Sequence, residues 1–262
     1  MKILKDARFI ISVLICIMAL MVFSNPKERE ALYQVSVLSG LMKGDYGGKV
    51  SLDQIRKHGD FGIGTFDRLD GEAIELDGVF YQAAYDGTVR RMQGIMHSPF
   101  AMATFFETDI KFPIQNISDF RSLQDIVDGH LATKNIPYAI KIEGKFNYIK
   151  VRSVPAQGKP YPALTEVIKK QSVFEYRDIE GTLVGFRMPD YMNGVNTAGY
   201  HAHFLSSDKT KGGHILECAV GSAEVMADDI SRFEMILPGS ADFYSLAISE
   251  KASEAAQKVK TE

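Results

Sequence analysis

Cysteine is nearly absent: the 262 residues hold two, Cys16 and Cys218. Cys16 lies in a segment expected to be removed, and one remaining thiol cannot close an internal disulfide. The fold must therefore rest on its core and on any metal it binds. A basic surplus is also missing. The formal net charge is -3 and no run of five like charges occurs, so no surface is built for a phosphate backbone, and nucleic acid is not an expected partner. From Leu32 onward there is no low-complexity stretch, no flexible linker and no fixed-period repeat. What is present is ordinary globular material, 45% hydrophobic and 24% charged, enough for a sizeable core.

The first 24 residues stand apart. Lys2, Lys5 and Arg8 precede an uncharged apolar run over residues 9–23, and Val22, Phe23 and Ser24 lead to Asn25-Pro26. A basic start, a short apolar centre and a small-residue end read as a secretory signal peptide. The competing reading is a retained membrane anchor, but fifteen apolar residues fall short of the roughly 20 that span a bilayer. The expectation is a protein exported to the periplasm or the extracellular space, with no stable membrane insertion after processing.

Beyond the leader, turn chemistry and periodicity outline the elements. Ser51-Leu52-Asp53-Gln54 has the capping-box form, which predicts a helix over residues 51–58 closed by Gly59. Asp70-Gly71, Asp77-Gly78 and Asp86-Gly87 separate short alternating segments, as in a β-meander. Residues 118–134 carry helical spacing through Phe120, Leu123, Ile126 and Leu131. Residues 138–154 return to strand with a turn expected at Glu143-Gly144. Pro155, Gly158, Pro160 and Pro162 make the one clear break; a short helix over 163–170, strands over 172–220 and a tail helix over 249–260 are expected after it. The chain therefore reads as an α/β (α+β) protein with mixed and antiparallel sheets and a few flanking helices. Its expected divisions are residues 1–24, a β-rich half over 25–155, and a second half over 156–262.

Three of the six histidines, His201, His203 and His214, fall within fourteen residues. In a strand His201 and His203 project from one face, and the polar segment 206–213 suits a hairpin loop that brings back His214. A four-residue turn is expected to set His214 opposite His201, and a two-residue turn opposite His203; directly opposed residues share a face. Either register brings three imidazoles to one point, a familiar zinc site with positions left open for water or substrate. Imidazole also suits iron, nickel and copper. The bland reading of such histidines, surface or core residues of a strand, fits a lone histidine better than a converging trio. Cys218 shares strand parity with His214, but reads as a small buried thiol rather than a fourth ligand. His58 and His130 fit helix C-termini, His97 has no evident partner, and all three stay outside the site. Glu72 opens a strand and Arg152 closes one; a carboxylate there can move protons and a guanidinium can clamp a carboxylate. By residue type alone both read as solvated surface charges.

These residues belong to a longer pattern. Residues 32–36 (LYQVS), 59–66 (GDFGIGTF), 69–72 (LDGE), 76–78 (LDG), 98–100 (SPF), 104–106 (TFF), 199–204 (GYHAHF) and 212–214 (GGH) occur in the order that resembles bacterial α-acetolactate decarboxylases. The resemblance covers residues 31–240. It implies a two-domain α/β fold, a homodimer, and one Zn2+ held by His201, His203 and His214. Arg152 and Glu72 match residues that line the family's site, and Thr65 matches a threonine close by. A second family glutamate comes from the C-terminal tail, where Glu250, Glu254 and Glu262 offer no motif to align, so none is assigned. The implied reaction is decarboxylation of a small-molecule substrate, 2-acetolactate, through a metal-stabilised enediolate protonated on one face to give acetoin. No organic cofactor is needed, because the ketone is already the electron sink. Acetolactate is made in the cytoplasm, in tension with an exported enzyme. The rival readings are a cupin-like metalloenzyme, which usually has a glutamate a few residues after His-x-His where residues 204–208 have none, a metallohydrolase, and a secreted metal-binding protein with a structural zinc.

Overall fold

A computed structural model describes residues 30–248. The leader over residues 1–24, the expected tail helix and Glu250, Glu254 and Glu262 lie outside them. From the N-terminal side, β1 (Ala31–Val35) leads into α1 (Leu38–Met42), β2 (Val50–Ser51) and α2 (Leu52–Ile55). Strands β3 (Phe61–Thr65), β4 (Glu72–Leu76), β5 (Val79–Ala83), β6 (Val89–Arg91), β7 (His97–Ser98) and β8 (Ala101–Thr104) follow. Then come β9 (Ile110–Ile117), α3 (Phe120–Asp128), β10 (Tyr138–Ser153), α4 (Leu164–Ile168), β11 (Ser172–Met188), β12 (Gly199–Ser206), β13 (Gly212–Asp229), β14 (Arg232–Ile236) and α5 (Ala241–Tyr244). The result is a mixed α+β fold in which strands dominate.

Seven strands form the first sheet, in the order β14-β1-β8-β3-β4-β5-β6. The expected meander is β3 to β6. Its tightest turn, Asp77-Gly78, has positive φ at both residues, 53° and 70°, between the paired Leu76 and Val79; that geometry matches the twist of the flanking strands and suits Asp-Gly. Alternation buries both faces. Ile63, Ile74 and Met102 point into a core shared with Val184, Phe186 and Leu205 of the second sheet. Ala73, Phe80, Ala101 and Ala103 point the other way, beneath Leu52 and Ile55 of α2. Helix α2 begins as its sequence requires: Ser51 accepts from the Gln54 N–H and the Gln54 side chain accepts from the Ser51 N–H. It is shorter than the expected 51–58, and His58 beyond it stacks on Tyr33 with ring centroids 3.9 Å apart.

The second sheet runs β10-β11-β12-β13-β9 and closes on itself where β10 also pairs with β13. Its inner residues, among them Ile140, Phe146 and Phe204, meet Leu123 and Val127 of α3. His130, just past α3, stacks on Phe112. Two expectations are corrected. Glu143-Gly144 is not a turn: β10 runs unbroken through it, and Gly144 is required because a Cβ there would collide with the Ser222 carbonyl oxygen on β13. A glycine inside a strand marks close backbone approach as well as a turn. The sheets also do not divide at residue 155: β9 and β10 pair with β11 and β13, while β14 returns to β1 of the first sheet. Hairpin β12–β13 carries the histidines.

Candidate metal centre

Hydrogen bonding closes the β12–β13 hairpin between Ser206 and Lys211, so residues 207–210 form a four-residue loop and the register sets His203 opposite His214. The expected link between a four-residue turn and His201 is therefore corrected: opposed positions in a hairpin have a constant sum, and a loop over 207–210 sets residue 203, not 201, opposite 214. Convergence is unaffected. His201, His203 and His214 each present a ring nitrogen within 4.8 Å of the others, with ring centroids 5.0 to 5.3 Å apart. His214 also faces Arg152 on β10, so the strand closure that completes the second sheet places the guanidinium beside the trio.

His203 is the best-defined donor. It is 1% exposed, its Nδ1 lies 2.9 Å from the Ala73 carbonyl oxygen on β4, and that contact requires the proton on Nδ1. Nε2 is left as a lone pair, sealed from solvent and without a hydrogen bond. Burial holds its pKa down to about 4, although the Ala73 bond acts the other way and Arg152 adds to the depression. The ring is thus neutral, the form that binds metals. Glu72 Oε2 lies 3.5 Å from Nε2. A lone pair and a carboxylate oxygen facing each other repel unless a proton or a cation lies between them. The donor set therefore fits a cation: the trio can hold a metal ion.

Glu72 reaches the trio from the first sheet. It opens β4 opposite Thr65 of β3, and burial raises its pKa to about 7 against the opposing pull of Arg152. Arg152 is 5% exposed; Nη1 donates to Gln171 Oε1 at 3.0 Å and Nε makes no hydrogen bond. Neither is the solvated surface charge that residue type alone suggests. Thr65 donates from Oγ1 to the Gly71 carbonyl oxygen at 2.7 Å, holding the turn that delivers Glu72. His97 is exposed on β7, and Cys218 is a core residue whose thiol is pushed up to about 12 by burial, so neither joins the site.

These groups open onto a cavity of about 70 Å³. Its polar lining is Thr65, Glu72, Arg152, Thr197, His201 and His214, while Leu38 and Leu41 of α1, Leu164 and Ile168 of α4, Leu69 and Phe100 supply much of the apolar wall. Sequence reasoning missed that wall, Gln171 and Thr197. Leu69 and Phe100 lie in the 69–72 and 98–100 segments, but nothing in those segments marks them as wall residues, and the apolar positions of α1 and α4 carry no signal beyond short apolar spacing.

Fold and site together define a small-molecule enzyme whose histidine trio, on the second sheet where it meets the first, can hold a cation. A family model for alpha-acetolactate decarboxylase matches residues 32–250. The alpha-acetolactate decarboxylase of Methanosarcina mazei is 43% identical over 230 residues, covering 88% of this chain and 80% of its own; that of Bacillus subtilis is 38% identical over 82% of this chain and 84% of its own. A crystal structure of the Bacillus subtilis enzyme superposes with a TM-score of 0.85 at 35% identity, covering 88% of this chain and 99% of the other. The chain belongs to the alpha-acetolactate decarboxylase family.

Proposed function

We propose that this enzyme decarboxylates 2-acetolactate to acetoin with Zn2+ held by His201, His203 and His214. The observation that carries the reading is the buried Nε2 of His203, locked as a lone-pair donor by the Ala73 carbonyl and facing Glu72 beside two further imidazoles. Three imidazole nitrogen donors with room for substrate are the pattern of a catalytic rather than a structural zinc. The family match sets the cupin and hydrolase readings aside.

When bound, the cation supplies Lewis-acid stabilisation of the charge that develops on the substrate oxygens. The chain's own residues do the rest. Arg152 binds and orients the carboxylate, its planar fork steadied by Gln171. The bond from C2 to the carboxylate carbon breaks, carbon dioxide leaves, and the electron pair moves toward the ketone oxygen. Glu72, with a pKa about 7, then delivers a proton to C2, and its fixed place on one side of the site sets the hand of the acetoin formed. Thr65 holds the Gly71 turn behind Glu72. The apolar wall keeps bulk water from the site and accommodates the substrate's two methyl groups.

The test is acetoin formation by purified protein before and after chelation. Activity that disappears with the chelator and returns with Zn2+ supports the reading; undiminished activity in metal-free protein overturns the zinc. We further propose a homodimer, tested by the mass of the protein in solution, and export with cleavage near Asn25, tested by intact mass of protein from the native host. A full-length membrane-bound product would defeat the cleavage. Among the described residues no helix is long and apolar enough to cross a membrane.

A further inference from the structure

Thr197 lines the cavity with His201, His214, Arg152 and Glu72, yet neither the sequence nor the reaction outlined above gives it a task. Its backbone is fixed with care. The Thr197 N–H donates to Asn196 Oδ1 at 2.6 Å, and Asn196 Nδ2 donates to Gln34 Oε1 at 2.6 Å. Gln34 in turn donates to the carbonyl oxygens of Ser36 and Val195 at 2.7 and 2.9 Å. Asn196 and Gln34 are both fully buried. A buried polar relay thus anchors the segment before β12 to β1 of the first sheet. The two threonines of the cavity differ sharply. Thr65 spends its hydroxyl on the Gly71 carbonyl, whereas the Thr197 hydroxyl makes no hydrogen bond to any described residue. Thr197 is 8% exposed, and its hydroxyl is not among the sealed, unpartnered polar atoms of the protein. The accessible surface it keeps therefore includes that hydroxyl, in a residue that lines the cavity. A hydroxyl held rigidly in an enclosed site without a protein partner is placed for a ligand, since leaving it unpaired beside an apolar group carries a penalty.

Position decides which ligand atom. Arg152 enters from β10 beside His214, while Thr197 precedes β12 on the His201 side, two residues before the strand begins at Gly199. Strand β13, with His214, lies between β10 and β12, so the two residues reach the trio from different strands. With the carboxylate of 2-hydroxy-2-methyl-3-oxobutanoate on Arg152, the C3 oxygen is left to be met from the β12 side, where Thr197 stands. We infer that Thr197 is a substrate-binding residue whose hydroxyl hydrogen-bonds the C3 oxygen and selects acids that carry one. This rests on the proposed 2-acetolactate reading and adds the group that recognises the ketone end.

The experiment pairs two non-reacting acids with three forms of the zinc-loaded protein. The acids are 2,3-dihydroxy-2-methylbutanoate, which has the C3 oxygen, and 2-hydroxy-2-methylbutanoate, which lacks it. Calorimetry gives the affinity of each for the unmodified protein, Thr197→Val and Thr197→Ser. The unmodified protein should prefer the dihydroxy acid, Thr197→Val should lose about 2- to 10-fold of that preference, the span of a neutral hydrogen bond, and Thr197→Ser should keep it. Equal preference in the unmodified protein and Thr197→Val overturns the role of Thr197 while leaving the site intact, as does a loss in Thr197→Ser as large as in the valine variant. Failure of both acids to bind the unmodified protein overturns the reading of the site itself.

Discussion

Glu72 and Arg152 show what burial does to ordinary side chains. Each looks like a surface charge in the sequence; folded, both are largely withdrawn from solvent beside three imidazoles, and their tasks can be separated experimentally. Glu72→Gln keeps the shape and loses the proton, so acetoin formation should fall by about 10² to 10⁴ while zinc content per chain is unchanged. Arg152→Lys keeps a charge and loses the planar fork, and its defect should be a raised KM for acetolactate. Near-normal turnover in Glu72→Gln with full metal would move the proton donor elsewhere. Glu75, on the opposite face of β4, is a different case. It is 0% exposed, neither oxygen has a hydrogen-bond partner, and its pKa is raised to about 9, chiefly by burial. A carboxyl group whose pKa rises on folding favours the fold below its unfolded value of 4.5, and this contribution is lost as pH climbs toward 9. The melting temperature of the unmodified protein should therefore fall across that interval, and Glu75→Gln should flatten the decline. Parallel curves for the two proteins would show that Glu75 does not control it.

At the level of elements, chemistry that is local in sequence was legible and chemistry that depends on distant pairing was not. The capping box of α2, the Asp77-Gly78 turn and the His-x-His parity of β12 each involve residues a few positions apart, so their geometry follows from the chain itself. Gly144 resembles a turn residue because its real reason, the close backbone of β13, lies nearly eighty residues away. Gly185 of β11 has the same logic and bears on the site. A Cβ there would lie 2.7 Å from the His201 carbonyl oxygen and 2.8 Å from the Ala202 Cβ, forcing β11 away from the strand that carries His201 and His203. Gly185→Ala should cost about 1–3 kcal/mol, the usual range for overpacking, and should lower zinc retention during dialysis. Denaturant midpoints and zinc analysis would check both, and an unchanged midpoint would show that the strands absorb the methyl group without moving.

For the whole molecule, the site is a joint between two sheets: histidines come from the second, Glu72 from the first, and the His203–Ala73 hydrogen bond spans them. A cation bound only by the folded form stabilises it by about 2.7 kcal/mol at a hundred times its dissociation constant. Added zinc should raise the melting temperature of metal-free protein, and His203→Ala should abolish most of that rise; an equal rise in the variant would place the metal elsewhere. The histidine trio was readable in advance because a single hairpin gathers it. The enclosing cavity was not, since its walls come from α1, α4 and β8-flanking residues brought together by sheet packing. The same interleaving affects how the protein is made. Strand β1 is bordered by β8 on one side and by β14, running parallel, on the other, with Ala31 facing Arg232. During synthesis from the N-terminal end, β1 can acquire β8 early, but its second edge stays open until about two hundred further residues have left the ribosome. Such distant pairing slows folding, and an apolar strand with a bare edge is a template for the wrong neighbour; β1 is most exposed to misassembly just before β14 arrives.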